Sequence, residues 1–295
     1  MIGGQFRRSF KSTWQLSFAL STAGAVFLSV AVARASSTTQ VPVAKRVFTV
    51  IFENTNYQAA LNQPFFAQLA ASGALLSNFK AEVHPSEGNY IALTAGSNFG
   101  IASDQAVDLN QRNIVDLLEE KGKTWRVYLE GYPGGCFTGS KAGKYYRKHN
   151  PFISFTDISG SPTRCANLVD ATQLDSDIQS GNLADYSFYV PDADNDGHDT
   201  DVAFADQWFS SAFEARIKDL HFIQDLLLIT TFDESGLLGG NRIYTSLVGP
   251  SVLPGSSSDT AYTHASLLRL EEDVLGLGNL GLDDLSANPI NGVWK

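Results

Sequence analysis

Short apolar runs alternate with amphipathic stretches along this chain. Five runs are rich in β-branched and aromatic residues and are bounded by turn residues: Arg46–Phe52, Thr124–Leu129, Tyr186–Val190, Leu226–Phe232 and Ile243–Val248. They predict buried parallel strands. Helical spacing appears between them at Gln63–Ala71, Asn113–Glu120, Asp201–Leu220 and Thr263–Leu277, with Gly122 as a C-terminal cap of the second. Strands alternating with helices predict an α/β fold: a mostly parallel central sheet with helices on both faces.

The residues that follow the strands carry the chemistry. Phe52 runs into Glu53-Asn54, Leu129 into Glu130-Gly131, Val190 into Pro191-Asp192 and Phe232 into Asp233-Glu234. Ligands of open α/β sheets bind outside the carboxyl ends of the strands. Carboxylates massed there repel one another unless a cation sits among them, and a hard divalent ion with oxygen ligands is the simplest answer.

The N-terminus changes the picture of where the protein works. Arg7, Arg8 and Lys11 precede an apolar run from Leu16 to Ala33, and Ala33-Arg34-Ala35 places small residues where a signal peptidase reads them. Residues 1–35 therefore read as a signal peptide cleaved after Ala35, leaving 36–295 as one catalytic domain and a secreted product, extracellular or in the cell wall, without a stable membrane anchor. An uncleaved anchor is the competing reading of that run. Removing Arg7, Arg8, Lys11 and Arg34 leaves 17 basic against 31 acidic residues. Such a surface repels nucleic acid at long range, so no nucleic-acid partner is expected. It also repels phosphate esters, so a phosphate site needs local positive charge. Cys136 and Cys165 are the two cysteines, and in a secreted chain they are expected to pair.

Several motifs have a bland and a chemical reading. Ser86, in His84-Pro85-Ser86-Glu87-Gly88-Asn89-Tyr90, precedes a helical run, where it is either a cap or a hydroxyl held at the positive helix end. Asp192 to Asp201 begins like a calcium-binding EF-hand loop, but Asp199 and Ala203 stand where an apolar residue and Glu belong, so that reading fails. His198 in this loop is either solvated or meets a phosphoryl group. Tyr145 to Phe152 is the main basic cluster and contains His149; Tyr262-Thr263-His264 opens the last helix. His221 reads as structural.

Taken in order, strand-Glu-Asn, His-Pro-Ser-x-x-Asn-Tyr, Tyr-x-x-His-Asn-Pro-Phe, Asn-Asp-Gly-His-Asp, Phe-Asp-Glu and Tyr-Thr-His resemble the phosphoesterase family of fungal secreted acid phosphatases and bacterial phospholipases C, within the alkaline-phosphatase-like superfamily. The similarity runs from about Lys45 to the C-terminus. The resemblance implies a three-layer sandwich of alkaline-phosphatase type. It implies one divalent metal ion, of unknown identity, on Glu53, Asn54, Ser86, Asp233 and Glu234, with Ser86 as nucleophile. It implies phosphate contacts from Asn89, His149 and His198, a further histidine at His264, and leaving-group assistance from His198 or His149. The expected reaction is hydrolysis of a small phosphorylated substrate by double displacement, with a phosphoryl group carried on Ser86. Gly88 stands where many relatives have Pro. The chain lacks the added C-terminal domains of the bacterial phospholipases, which favours a phosphomonoesterase over a phospholipase C-type phosphodiesterase. A non-catalytic secreted binding protein is the reading from a different class.

Overall fold

The computed structural model describes residues 41–295. Residues 1–35, where a signal peptide is expected, lie outside the described residues. Eight strands form one sheet, in the order Ser256–Ser258, Ala74–Leu76, Thr245–Val248, Leu226–Phe232, Arg46–Phe52, Tyr186–Val190, Trp125–Leu129, Leu168–Asp170. Arg46–Phe52 lies at the centre and pairs in parallel with Leu226–Phe232 on one side and Tyr186–Val190 on the other. Every residue of Leu226–Phe232 and of Tyr186–Val190 is buried, as a central parallel strand requires.

Side chains alternate across the central strand, and the two faces meet different layers. Phe48 and Phe52 point into an aromatic layer. Phe52 packs edge-on against Phe209 at 4.9 Å and Phe66 at 5.1 Å between ring centroids, and Phe48 meets Phe213 at 5.9 Å. These partners sit on the helices Val202–Lys218 and Pro64–Ser72. Thr49 points the other way and donates to Glu271 on the helix His264–Leu275, at 2.6 Å. The sheet is therefore sandwiched between two helical layers, the architecture expected from the alternation of elements.

The expected elements differ from the observed ones in two informative ways. Ile243–Val248 is not one parallel strand. Arg242–Ile243 pairs with Phe79–Lys80 in a separate ribbon, while Thr245–Val248 joins the main sheet antiparallel to Leu226–Phe232. The connection from Leu226–Phe232 contains no helix to serve as the usual crossover to a parallel neighbour; it holds the short strand Arg242–Ile243, and the chain returns antiparallel. The long helix ends at Lys218 because the Asp219 carboxylate caps a new turn, Leu220–Ile223. The disulfide between Cys136 and Cys165 forms, with Cα atoms 5.5 Å apart.

Candidate active site

The site lies beyond the carboxyl end of the central strand. Glu53 follows Phe52 there and is fully buried. Its backbone N–H donates to the Asp196 carbonyl at 3.0 Å, and the Asp233 N–H donates to the Phe52 carbonyl at 2.8 Å. Backbone pairing thus sets Asp196 and Asp233 on either side of Glu53. Ser86 comes from a different part of the fold, at the N-cap position of the helix Glu87–Ala95. Its backbone is already helical and its side chain makes no capping hydrogen bond. Instead Ser86 Oγ donates to Glu53 Oε2 at 3.1 Å. The cap reading of Ser86 therefore fails: the hydroxyl is aimed at the acidic cluster.

Gly88 explains how this helix start fits. A Cβ at Gly88 would lie 2.7 Å from Val83 Cγ2 and 2.8 Å from the Ile101 carbonyl oxygen, so the adjoining loop approaches only because the residue is glycine. The same loop supplies Asp104, whose Oδ1 accepts the Glu87 N–H at 3.2 Å while Oδ2 accepts from Lys148 Nζ at 2.8 Å.

His149 is buried between two carboxylates, with Nε2 3.2 Å from Glu53 Oε1 and Nδ1 3.1 Å from Asp196 Oδ2. The Tyr90 ring stacks on it at 5.5 Å. Burial, reinforced by the Lys148 and His198 charges, holds its pKa well below the usual imidazole range. His149 is thus neutral, which places it with ligand atoms rather than proton donors. His198 is half-buried. Its Nδ1 meets Asp199 Oδ1 at 2.8 Å, and its Nε2 faces Lys148 Nζ at 3.2 Å. An ammonium group can only donate, so Nε2 is the acceptor and Nδ1 carries the proton.

Four buried acids converge, with the His84 imidazole in contact with Glu234 and the Lys148 charge nearby. Burial, then the Asp233 and Asp196 charges, pushes the Glu53 carboxyl well above the usual range. Burial does the same to Asp196 and Asp233. Burial, followed by the Asp233 charge, raises Glu234 to about 8. Glu53 Oε1, His149 Nε2, Asp196 Oδ2 and Asp233 Oδ2 are buried without a hydrogen-bond partner. Orphaned buried donors and acceptors cost roughly 1–3 kcal/mol each, more where charged. A divalent cation satisfies such a set, and Glu53, His149 and His198 bring ligand atoms within 4.8 Å of one another. Mixed imidazole and carboxylate donors suit a transition-type divalent ion better than calcium.

Not every expected residue points into this centre. Asn54 is exposed, in the left-handed region at φ 46°, and its backbone N–H donates to Asp233 Oδ1 at 3.1 Å. Asn89 is buried with its side chain turned to the main chain. Its Oδ1 accepts the Glu82 and Val83 N–H groups, each at 3.0 Å, and its Nδ2 donates to the Val83 carbonyl at 2.9 Å. His264 is also spent on structure: Nδ1 meets Glu82 Oε2 at 2.6 Å and Nε2 meets the Phe232 carbonyl at 3.0 Å. Burial alone would lower its pKa, but the Glu82 carboxylate outweighs it and the pKa is raised. Asn89 and His264 brace the two segments that deliver Ser86 and Asp233. Asp196, Lys148 and Asp104 join this candidate site in the structure, and sequence reasoning missed them. Asp196 was visible as one Asp of an acidic loop, with nothing to mark it as the one that turns inward.

The phosphoesterase family's sequence pattern matches residues 52–278, which span this whole site. The chain belongs to the phosphoesterase family. It is 36% identical over 257 residues to a probable acid phosphatase of Kluyveromyces lactis, covering 83% of this chain and 61% of that protein. It is 32% identical over 259 residues to a phosphatidylinositol-3-phosphatase of Mycobacterium tuberculosis, covering 86% of this chain and 84% of that protein. The chain spans about three fifths of the length of the fungal relatives it matches. Among solved structures, a protein of the alkaline phosphatase superfamily from Vibrio parahaemolyticus superposes with a TM-score of 0.60 at 13% identity, over 86% of this chain and 72% of that one. That likeness establishes this phosphoesterase's fold as the alkaline-phosphatase type.

Proposed function

We propose that the chain is a phosphomonoesterase of acid-phosphatase type with Ser86 as nucleophile and one bound divalent cation. One observation carries this reading: the Ser86 hydroxyl sits at a helix start, makes no cap, and donates to a buried carboxylate at the sheet's carboxyl edge. The fungal relatives named acid phosphatases support the same class.

The reaction follows from the residues. Ser86 Oγ attacks phosphorus and loses its proton to Glu53 Oε2, which already accepts from it at 3.1 Å. The bond from phosphorus to the leaving oxygen breaks, and the alcohol departs with a proton drawn from the Lys148–His198 side. Water then attacks phosphorus, and the Ser86 oxygen recovers its proton as inorganic phosphate leaves. Lys148 supplies the local cation that an acidic protein needs against a phosphoryl dianion; Asp104 and His198 hold it in place. Glu53, His149, Asp196, Asp233 and Glu234 would hold the divalent ion. When bound, it neutralises charge on the phosphoryl oxygens and favours ionisation of a nearby hydroxyl. We further propose that residues 36–295 act as one catalytic domain, exported after cleavage behind Ala35. Among the described residues no helix is long and apolar enough to cross a membrane.

The test is a comparison of p-nitrophenyl phosphate, bis-p-nitrophenyl phosphate and phosphatidylcholine. The proposal expects the monoester to be turned over with the highest kcat/KM. Preference for either diester would replace it with a phospholipase C-type phosphodiesterase.

A further inference from the structure

Two leucines stand fully out of the surface beside the candidate active site. Leu238 is 99% exposed, the most of any large apolar side chain among the described residues, and Leu237 is 89% exposed. They hold the two central positions of a turn, closed by the Gly239 N–H donating to the Gly236 carbonyl at 2.8 Å. Such positions favour Gly, Pro, Asn or Asp, and the turn itself gives no reason for leucine. The base of the turn is clamped. The Ser235 N–H donates to Asn241 Oδ1 and the Asn241 N–H donates to Ser235 Oγ, both at 3.1 Å. A Cβ at Gly239 would lie 2.1 Å from Asn56 Oδ1, so the turn seats against Asn56 only because the residue is glycine. Asn241 Nδ2 also donates to the Val83 carbonyl at 2.8 Å. The apolar tip is thus fixed to the two segments that lead to Glu234 and Ser86.

Single exposed apolar side chains are ordinary, but two adjacent ones on a turn make a convex apolar tip. Its shape and size select the occupant. A standard protein interface takes roughly 800 Å² from each partner, far more than two leucine side chains offer. A lipid surface needs no matching groove, because acyl chains close around whatever enters them. Cations stand at the base of the tip. Arg242 and Lys80 are exposed cross-strand partners in the ribbon that follows the turn, and the Arg242 N–H donates to the Gly239 carbonyl at 3.3 Å. The Arg242 side chain is held by the Ser77 carbonyl at 2.9 Å and lies 3.8 Å over the Tyr57 ring. Basic side chains beside an inserted apolar tip reach the headgroup phosphates. The chain beyond Ala35, with 17 basic against 31 acidic residues, is repelled by an anionic surface, so a zwitterionic phospholipid is the surface that fits.

We propose that the turn from Gly236 to Gly239 docks reversibly on a zwitterionic phospholipid surface, inserting Leu237 and Leu238 and setting the candidate active site at the interface. The contact is weak, because two leucine side chains carry fewer carbons than one myristoyl chain, which itself binds only marginally. It is tested by co-sedimentation with sucrose-loaded phosphatidylcholine vesicles, titrated to about 10 mM lipid to suit a weak association. The wild-type protein is expected to sediment with the vesicles. The double variant Leu237→Ser, Leu238→Ser is expected to bind about tenfold or more weakly, with circular dichroism and p-nitrophenyl phosphate turnover unchanged. Leu238→Trp is expected to keep the binding, and its emission, read as a difference from the wild type, to shift to the blue when vesicles are added. Absence of wild-type sedimentation, equal sedimentation of the double variant, or an unshifted emission in Leu238→Trp overturns the proposal. A dimer that forms without vesicles and is lost in the double variant, read by analytical ultracentrifugation, overturns it in favour of a second copy of this chain as the occupant. Sedimentation is read without turnover, so the docking surface stands or falls separately from the phosphomonoesterase reading.

Discussion

Two groups of buried carboxyls contact the central strand, and they behave differently. At its carboxyl end, Glu53 meets Asp196, Asp233, His149 and the Ser86 hydroxyl. On one face of the same strand, Glu271 is just as buried, but its neighbours are hydroxyls: Thr49 donates to it and Tyr186 lies against it. Burial raises Glu271 to about 8, so it keeps its proton near neutrality and needs no cation. The Glu53 group cannot all be served by protons, because its members also compete with two buried imidazole nitrogens. A buried carboxyl is therefore no mark of function by itself. Convergence with unpartnered nitrogen and oxygen atoms, and with a hydroxyl aimed among them, separates a reaction centre from a protonated core residue.

This contrast can be broken at several points. The largest effect is expected from Ser86→Ala, which should lower kcat on p-nitrophenyl phosphate by about 10⁴-fold or more while circular dichroism stays unchanged. Retention of most activity would remove Ser86 as nucleophile. Glu53→Gln should cost about 10³-fold in activity and reduce the divalent metal recovered with the purified protein, as measured by elemental analysis. Undiminished metal content would take Glu53 out of the ligand set. Replacing both Cys136 and Cys165 by Ser opens a loop of sequence separation 29 and should destabilise the fold by about 3 kcal/mol in urea unfolding.

Glu271→Gln is expected to leave activity nearly unchanged and to act on stability alone. In the unfolded chain this carboxyl loses its proton near 4.5, and in the folded protein near 8. Between those values the unfolded state binds fewer protons, so stability falls as pH rises. Stability contributed by the bound proton is complete below about 4.5 and lost by about 8. The amide variant should lose less stability than the wild type between pH 5 and pH 8, a difference on the order of a few kcal/mol in urea melts at the two pH values. Parallel losses in the two proteins would show that Glu271 is not the proton holder.

The sequence made one half of this contrast legible. Glu53, Asp233 and Glu234 follow long apolar strands directly, so strand ends and acidic residues coincide along the chain. Ser86 was readable through its motif, although composition alone would have left it a helix cap. Asp196 was not readable, because five Asp residues share its loop and only backbone pairing with Glu53 turns that one inward. The role of Lys148, within the basic cluster, is not legible in sequence, since its partners Asp104 and His198 lie 44 and 50 residues away. The motifs around Asn89 and His264 give no sign that main-chain groups and the Glu82 carboxylate claim their side chains. The three-residue strands Ala74–Leu76, Leu168–Asp170 and Ser256–Ser258 are too short to show a period of two.

The central claim is that phosphorus passes through the Ser86 oxygen. Stereochemistry at phosphorus tests it most directly, by following an isotopically chiral phosphoryl group from an ester to an acceptor alcohol. Two successive displacements, first by Ser86 and then by the acceptor, predict net retention of configuration. Net inversion would mean that the acceptor attacks the substrate itself, and would contradict the account.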